Sequence, residues 1–495
     1  MSRYSFSPKL DPNRGRRRRM LLGAAALAAV LLLGVVLLFV GIRALTSGTR
    51  ASPPPAATGT TPTPFVPVVT ILAPDAQPPA AEQPAPQPTG EQSGQPPAPA
   101  ESTAAAPQAA APQAGTPNPA GALPGLPDFV CPAPRTASPA FGYGIQSNWP
   151  VGDIGYFNSV MAEQLKVNWT KAQVRWSEFE PANGEIDAFK WQLLDAFTAD
   201  ANKKGLNIVF GILEAPAWSR TVNEPGLLGP PDDYNQAARF IAKVAARYQG
   251  CVQAIEVWNE MNLDREWTIP SRQINAADYV RFLQTVAPAI RAVDPNLIIV
   301  MGALSPTGST DPGKYMDDFE YMDQFVAAGG PELVDCVGVH LNGYNMPPDK
   351  EWNEGYNDPS AKFRGPFDNP NHSWSFKSTL FGYYQKTRKP QCVTEFGWAS
   401  MENLKDKSGT LVQGAPPGFD FALDNTEQEQ ADWIVQAFQI MRDSGFVRFG
   451  IIFNLDYIQK VGGEPNQENV SPYSITRRDG SPRPAFDAIR NMPKP

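Results

Sequence analysis

Two glutamates are set among residues that suit acid and nucleophile chemistry. Glu260 closes the run Trp258-Asn259-Glu260, and Glu395 lies in Thr394-Glu395-Phe396-Gly397. Each ends a stretch of apolar, β-forming residues. A pair of carboxyls can break an acetal: one protonates the leaving oxygen, and the other attacks or assists at the anomeric carbon. A separation of about 5 Å gives retention through a covalent intermediate, and more than about 6.5 Å gives inversion. Other apolar stretches end on Arg175 and Trp176, Glu214 and Trp218, His340 and Tyr344, and Trp398. Aromatic faces beside fixed polar groups suit a sugar ring and its hydroxyls, so carbohydrate is the expected ligand.

Each of these residues also has a plainer reading. Glu256 alternates with Trp258 and Glu260, which makes it a rival acid, but its place inside the stretch favours a buried partner for a basic group. Glu214 is read equally as a substrate ligand or a solvent-facing residue, and Glu180 and Glu185 as turn and rim residues. With only His340 and His372 in the chain, a histidine metal centre or a Ser-His-Asp hydrolase is disfavoured. His340 is read as a subsite residue. At least two of Trp149, Trp176, Trp218, Trp258 and Trp398 are expected to be structural.

The elements that must position these groups are legible as eight apolar runs, at 141–148, 172–176, 207–213, 254–259, 297–302, 336–341, 391–396 and 449–455. Helical periodicity fills the gaps, as in Tyr279, Phe282, Leu283, Val286 and Ile290. Thr426 and Glu429 have the spacing of a capping box. Strands alternating with helices imply a parallel sheet, and eight strands close a (β/α)8 barrel. A doubly wound open sheet is the alternative, but the segment after the first run lacks a Gly-rich phosphate turn. In the barrel, functional groups gather at the C-terminal strand ends. The stretch 342–374 is too long for an ordinary connection and is expected to shape a cleft wall.

The rest of the 495 residues divides by composition. Residues 1–19 form a basic tail and 20–42 an uncharged apolar span of the length that crosses a bilayer. Residues 43–130 are a Pro/Ala/Gln-rich linker unable to bury a core, which leaves 131–495 as the catalytic domain. The cluster of Arg before the span places the N-terminus in the cytoplasm and the domain outside. An uncleaved anchor is preferred to a signal peptide because the span is longer than a signal peptide's apolar stretch. A net charge of −8 without basic clusters in the domain argues against nucleic acid. Cys131, Cys251, Cys336 and Cys392 lie where disulfides are permitted. A pairing of Cys336 with Cys392 is plausible, free buried thiols are the alternative, and connectivity stays open.

Taken in order and by strand, these motifs resemble clan A glycoside hydrolases, with families 5 and 39 nearest. The resemblance spans 141–489 and includes Arg175, the stretch 180–184, Ala215-Pro216-Ala217-Trp218, and His340 with Tyr344. It implies that Glu260 is the acid/base, that Asn259 bonds the sugar 2-hydroxyl, and that Glu395 is the nucleophile. Arg175 is then expected to hold Glu395 ionised and Tyr344 to orient it, while a less charged setting raises the pKa of Glu260. Trp218, Trp258, His340 and Trp398 join the substrate-binding set. The family's Trp at the end of strand eight is missing from Phe453-Asn454-Leu455-Asp456-Tyr457, and Tyr457 is the expected substitute.

The expected function is therefore a cofactor-free, monomeric retaining glycosidase acting outside the cell on a polysaccharide or oligosaccharide. A catalytically silent carbohydrate-binding protein and a transglycosylase are the alternatives.

Overall fold

The computed structural model describes residues 115–116 and 118–494. Eight strands lie parallel: β1 (Gly142–Gln146), β2 (Trp169–Arg175), β3 (Asn207–Leu213), β4 (Ala254–Val257), β5 (Ile298–Met301), β6 (Val337–Gly343), β7 (Gln391–Trp398) and β8 (Val447–Ile452). Their hydrogen-bonded order is β5-β4-β3-β2-β1-β8-β7-β6. Bridges from Val300 to Cys336 and from Leu304 to Val339 join the two outer strands and nearly close the barrel.

A helix of six or more residues follows each strand: α1 (Ile154–Ser159), α2 (Ala188–Lys203), α3 (Tyr234–Arg247), α4 (Ala276–Val293), α5 (Asp318–Ala327), α6 (Phe376–Thr387), α7 (Glu427–Asp443) and α8 (Pro484–Asn491), with single helical turns beside some of them. Short polar side chains start most of them by accepting from free first-turn N–H groups. Asp187 does this for α2, Asn275 for α4, and Thr426 for α7, where the expected capping box with Glu429 is complete.

Alternation along the strands sorts side chains into two layers. Outward residues such as Ile208, Phe210 and Ile212 of β3 pack beneath the helices. Inward residues such as Trp169, Val209, Ala254, Val300 and Phe449 fill the barrel floor. A third cluster around Met401, Leu404, Phe421 and Tyr473 supports the loops after β7 and β8.

Both pairs of cysteines are joined. Cys336–Cys392 ties the starts of β6 and β7, and Cys131–Cys251 fastens the segment before β1 to the turn ahead of β4. Within the expected linker 43–130, Leu123 and Phe129 are buried, and Phe129 packs edge-on against Tyr248. The expected span 20–42 lies outside the described residues. Among the described residues no helix is long and apolar enough to cross a membrane.

Candidate active site

β2 sends Lys171, Gln173 and Arg175 to the barrel interior by alternation, with Lys171 deepest. Its ammonium meets Glu256 Oε2 at 2.8 Å and Glu395 Oε1 at 3.1 Å. Burial alone would lower its pKa, but these two carboxylates outweigh it and raise the value above that of an ordinary lysine. Gly211 of β3 makes room, since a Cβ there would meet Glu256 Oε2 and Lys171 Cε at 3.2 Å. Glu256 is thus the buried partner of a basic group, and Thr394 Oγ1 donates to its other oxygen at 2.6 Å.

Glu395 reaches the interior through a backbone irregularity. Val393 pairs with Val339 and Glu395 with His340, so Thr394 is an extra residue in β7. Such a bulge re-aims side chains, and here Thr394 and Glu395 both face inward. On β4 the alternation is broken by positive φ at Trp258 (80°) and Glu260 (44°), a conformation that non-glycine residues rarely adopt. Trp258 turns to the outer layer against Trp267 and Phe282, while Glu260 turns to the mouth.

Between the two glutamates sits His340. Its Nδ1 is 3.2 Å from Glu260 Oε1, and its Nε2 is 3.9 Å from both Glu256 and Glu395. Burial pulls the imidazole pKa down, but Glu395 and Glu260 prevail and raise it. The other Glu260 oxygen accepts from Arg265 Nη2 at 2.9 Å. Burial pushes the Glu260 carboxyl up, yet the His340 hydrogen bond and charge, with the Arg265 charge, bring it down to about 2. This is opposite to the raised value expected from the sequence, because the site is more cationic than its motif suggests.

Above these groups opens a cleft of about 450 Å³, within the range of small-ligand sites. One wall is polar and charged, from Gln173, Arg175, Asn259, Arg265 and Glu266. The other is aromatic, from Tyr344, Phe419, Phe421, Phe453, Tyr457 and Tyr473. Asn259, Glu260, Tyr344, Glu395 and Tyr457 all line this cleft. Tyr457 also accepts from Gln146 Nε2 at 2.7 Å.

Several expectations are corrected. Arg175 is at the cleft, but its guanidinium bonds Glu214 at 2.7 Å, and Lys171 takes its expected place beside Glu395. No hydrogen bond links Tyr344 to Glu395. Tyr344 instead packs on Trp374 and Phe421, while Gln173 Nε2 is 3.4 Å from the Glu395 oxygen. Trp258 and Trp398 are core residues, with Trp398 packed on Phe376 and Trp433. Trp218 is half-buried against Trp176 and donates to the Glu180 carbonyl, away from the cleft. His340 lies under the cleft and not in its wall. Glu180 is a buried anchor for Arg239, Lys243 and Trp176 and not a rim residue.

Lys171, Arg265 and Glu266 carry no motif. Had the second run been started at Trp169, the alternation Lys171-Gln173-Arg175 would have exposed the first of them. Asp317, Asp318 and His372 come within 4.8 Å of one another. The Asp318 carboxyl already accepts from Thr307 N, Gly308 N, Ser373 Oγ and Tyr383 OH, so the group reads as a staple between α5 and α6 and not as a metal cradle.

Comparison with known proteins places this architecture. The family model for cellulase (glycosyl hydrolase family 5) matches residues 158–435, more than half of the chain. Among solved structures, a family 39 glycoside hydrolase from Bacteroides cellulosilyticus WH2 is similar at 17% identity and TM-score 0.48, over 73% of this chain and 66% of that one. An exo-β-1,4-mannosidase from Opitutaceae bacterium strain TAV5 is similar at 17% identity and TM-score 0.45, over 72% and 60%. A GH10 protein from Paenibacillus barcinonensis is similar at 16% and TM-score 0.46, over 71% and 94%. The chain spans less than two thirds of the length of the first two. No protein of curated function matches it.

Proposed function

Since this chain belongs to the cellulase family, glycosyl hydrolase family 5, within the clan A glycoside hydrolases, we propose that it is a retaining glycosidase. Glu395 is the nucleophile and Glu260 the acid/base. The observation that carries this reading is the placement of the two glutamates on either side of His340, both lining one cleft.

Glu395 is anchored by Lys171 and presents its carboxyl to the anomeric carbon, while Glu260 protonates the glycosidic oxygen as it departs. A glycosyl ester on Glu395 results. Glu260, now a carboxylate, then takes a proton from water as the water attacks that ester, which restores both residues. The aromatic wall supplies stacking faces for sugar rings, and Asn259 and Arg175 supply hydrogen bonds opposite. Tyr457, beyond the end of β8 and in the cleft lining, is proposed to take the part of the family's platform Trp.

The family's name makes β-linked glucans the first substrates to test, followed by mannans, xylans and bacterial exopolysaccharides. Action outside the cytoplasm is supported by the charge asymmetry around 20–42 and by the two disulfides. The test is to incubate the purified chain with each polysaccharide, measure released reducing ends, and follow the anomeric configuration of the first product by proton NMR. A product of inverted configuration, or hydrolysis that persists in Glu395→Gln, rejects the mechanism. Binding without release of any sugar supports a silent carbohydrate binder instead.

A further inference from the structure

The first chemical step needs a proton on Glu260, yet the His340 hydrogen bond and the Arg265 charge beside it favour Glu260 as a carboxylate. Its Oε1 faces His340 Nδ1 at 3.2 Å and its Oε2 faces Arg265 Nη2 at 2.9 Å. Six residues along, a third carboxyl lines the same cleft. Glu266 Oε1 is 3.9 Å from Arg265 Nε, while its Oε2 is buried with no hydrogen-bond partner. A buried oxygen without a donor suits a neutral carboxyl, because stranding a bare charge there costs far more.

We propose that Glu266 stores the proton that Glu260 must deliver, and that Arg265, whose guanidinium is hydrogen-bonded to Glu260 and lies 3.9 Å from Glu266, shifts in the opposite direction as the proton moves. The proposal rests on the assignment of Glu260 as acid/base. In the exchange the Glu266 O–H bond breaks and an O–H bond forms on Glu260. Arg265 gives up Glu260 Oε2 and pairs with the new Glu266 carboxylate. The charge of the trio is unchanged and no co-reactant enters. Glu266 is a positioning residue in this scheme, acting through Glu260.

The surroundings agree. Glu266 faces Arg265 and Asn259 from its own loop, Arg175 from the end of β2, and Glu260. Burial and the Glu260 charge push its carboxyl up to about 7, against the two arginines. Arg175 is in turn occupied by Glu214. Glu260 faces Arg265, His340 of β6, and the phenols of Tyr344 and Tyr473. His340 is the rival proton source, but it is 1% exposed beneath the cleft and wedged against Glu256, Glu395 and Lys171. Glu266 borders the cleft with 15% of its side chain exposed.

The test uses the full chain labelled with ¹³C at glutamate carboxyls, with signals assigned by their loss in Glu266→Gln and Glu260→Gln. At about pH 5 the Glu266 carboxyl is expected protonated and that of Glu260 ionised, and an ionised Glu266 there overturns the proposal whatever the substrate. The kinetic arm compares phenyl β-cellobioside, whose leaving group needs a proton, with 2,4-dinitrophenyl β-cellobioside, whose leaving group does not. Glu266→Gln is expected to lower kcat/KM on the phenyl substrate by about 100-fold near neutral pH and to move its alkaline limb to lower pH, while the dinitrophenyl substrate loses far less. An unmoved alkaline limb overturns the proposal. If the unaltered chain cleaves neither glycoside, the assignment as a β-glucan hydrolase fails, and the carboxyl titration still decides where the proton is stored.

Discussion

Lys171 Nζ lies 3.1 Å from Glu395 Oε1, in a barrel interior where the lysine is 1% exposed. The same ammonium is 2.8 Å from Glu256 Oε2, so one cation holds two carboxylates that would otherwise repel each other. The candidate nucleophile is thereby fixed from below by a group on β2, three strands away around the barrel from β7, which leaves its upper face to the cleft.

Replacing Lys171 by Met is expected to cost about 3–5 kcal/mol of stability, as removal of one member of a buried ionic group usually does. It should also cut kcat far more than it changes KM. The double variant Lys171→Met/Glu256→Gln removes one of the two carboxylates that Lys171→Met leaves without their cation, and should regain part of the stability without the activity, a non-additive result that thermal unfolding and kinetics would show together.

Glu395→Gln is expected to abolish turnover with an unchanged melting temperature. Glu260→Ala should lose activity on substrates with poor leaving groups and recover part of it with azide, which needs no general base and yields a glycosyl azide. Identification of that azide by mass spectrometry, with β configuration from a β-glycoside, checks both assignments.

Tyr457→Ala removes an aromatic face from the cleft and should reduce kcat/KM by ~30-fold, equivalent to about 2 kcal/mol of lost apolar contact. Tyr457→Phe keeps the ring and loses only the bond from Gln146, so its effect should be much smaller.

Glu180 gives a pH-dependent prediction. Burial raises its carboxyl pKa, but the Arg239 and Trp176 hydrogen bonds and the nearby cations outweigh this and lower it. A depressed folded-state pKa contributes stability that is present above the unfolded value of about 4.3 and is lost as pH falls through the folded value. Urea unfolding of Glu180→Gln should therefore show a deficit at neutral pH that shrinks on acidification.

The disulfides close loops with sequence separations of 120 and 56 residues. Loop-closure entropy puts their contributions at about 5 and 4 kcal/mol. Removing either pair by Cys→Ser is expected to lower the melting temperature, and more so for Cys131 with Cys251.

Much of the site was readable from local pattern. Trp258-Asn259-Glu260 and Thr394-Glu395-Phe396-Gly397 marked the carboxyls, and strand–helix alternation put them at one rim of a barrel. Pattern failed where the backbone broke its own period. The extra Thr394 in β7 and the positive φ at Trp258 each redirect side chains, and neither has a compositional mark. Arg175 was the visible cation near the rim, but Glu214 claims it, and the less conspicuous Lys171 reaches Glu395.

The sequence by itself determined the period-2 and period-3.6 faces, the capping box at Thr426, the count of strands and the two candidate carboxyls, because these depend on neighbours within a few residues. Only the tertiary structure decided which charges meet. Lys171, Glu256, His340 and Glu395 come from β2, β4, β6 and β7, and closure of the barrel sets their distances. In that buried interior the separations of 2.8 to 3.2 Å set which groups pair, because charges interact strongly at such distances away from bulk solvent.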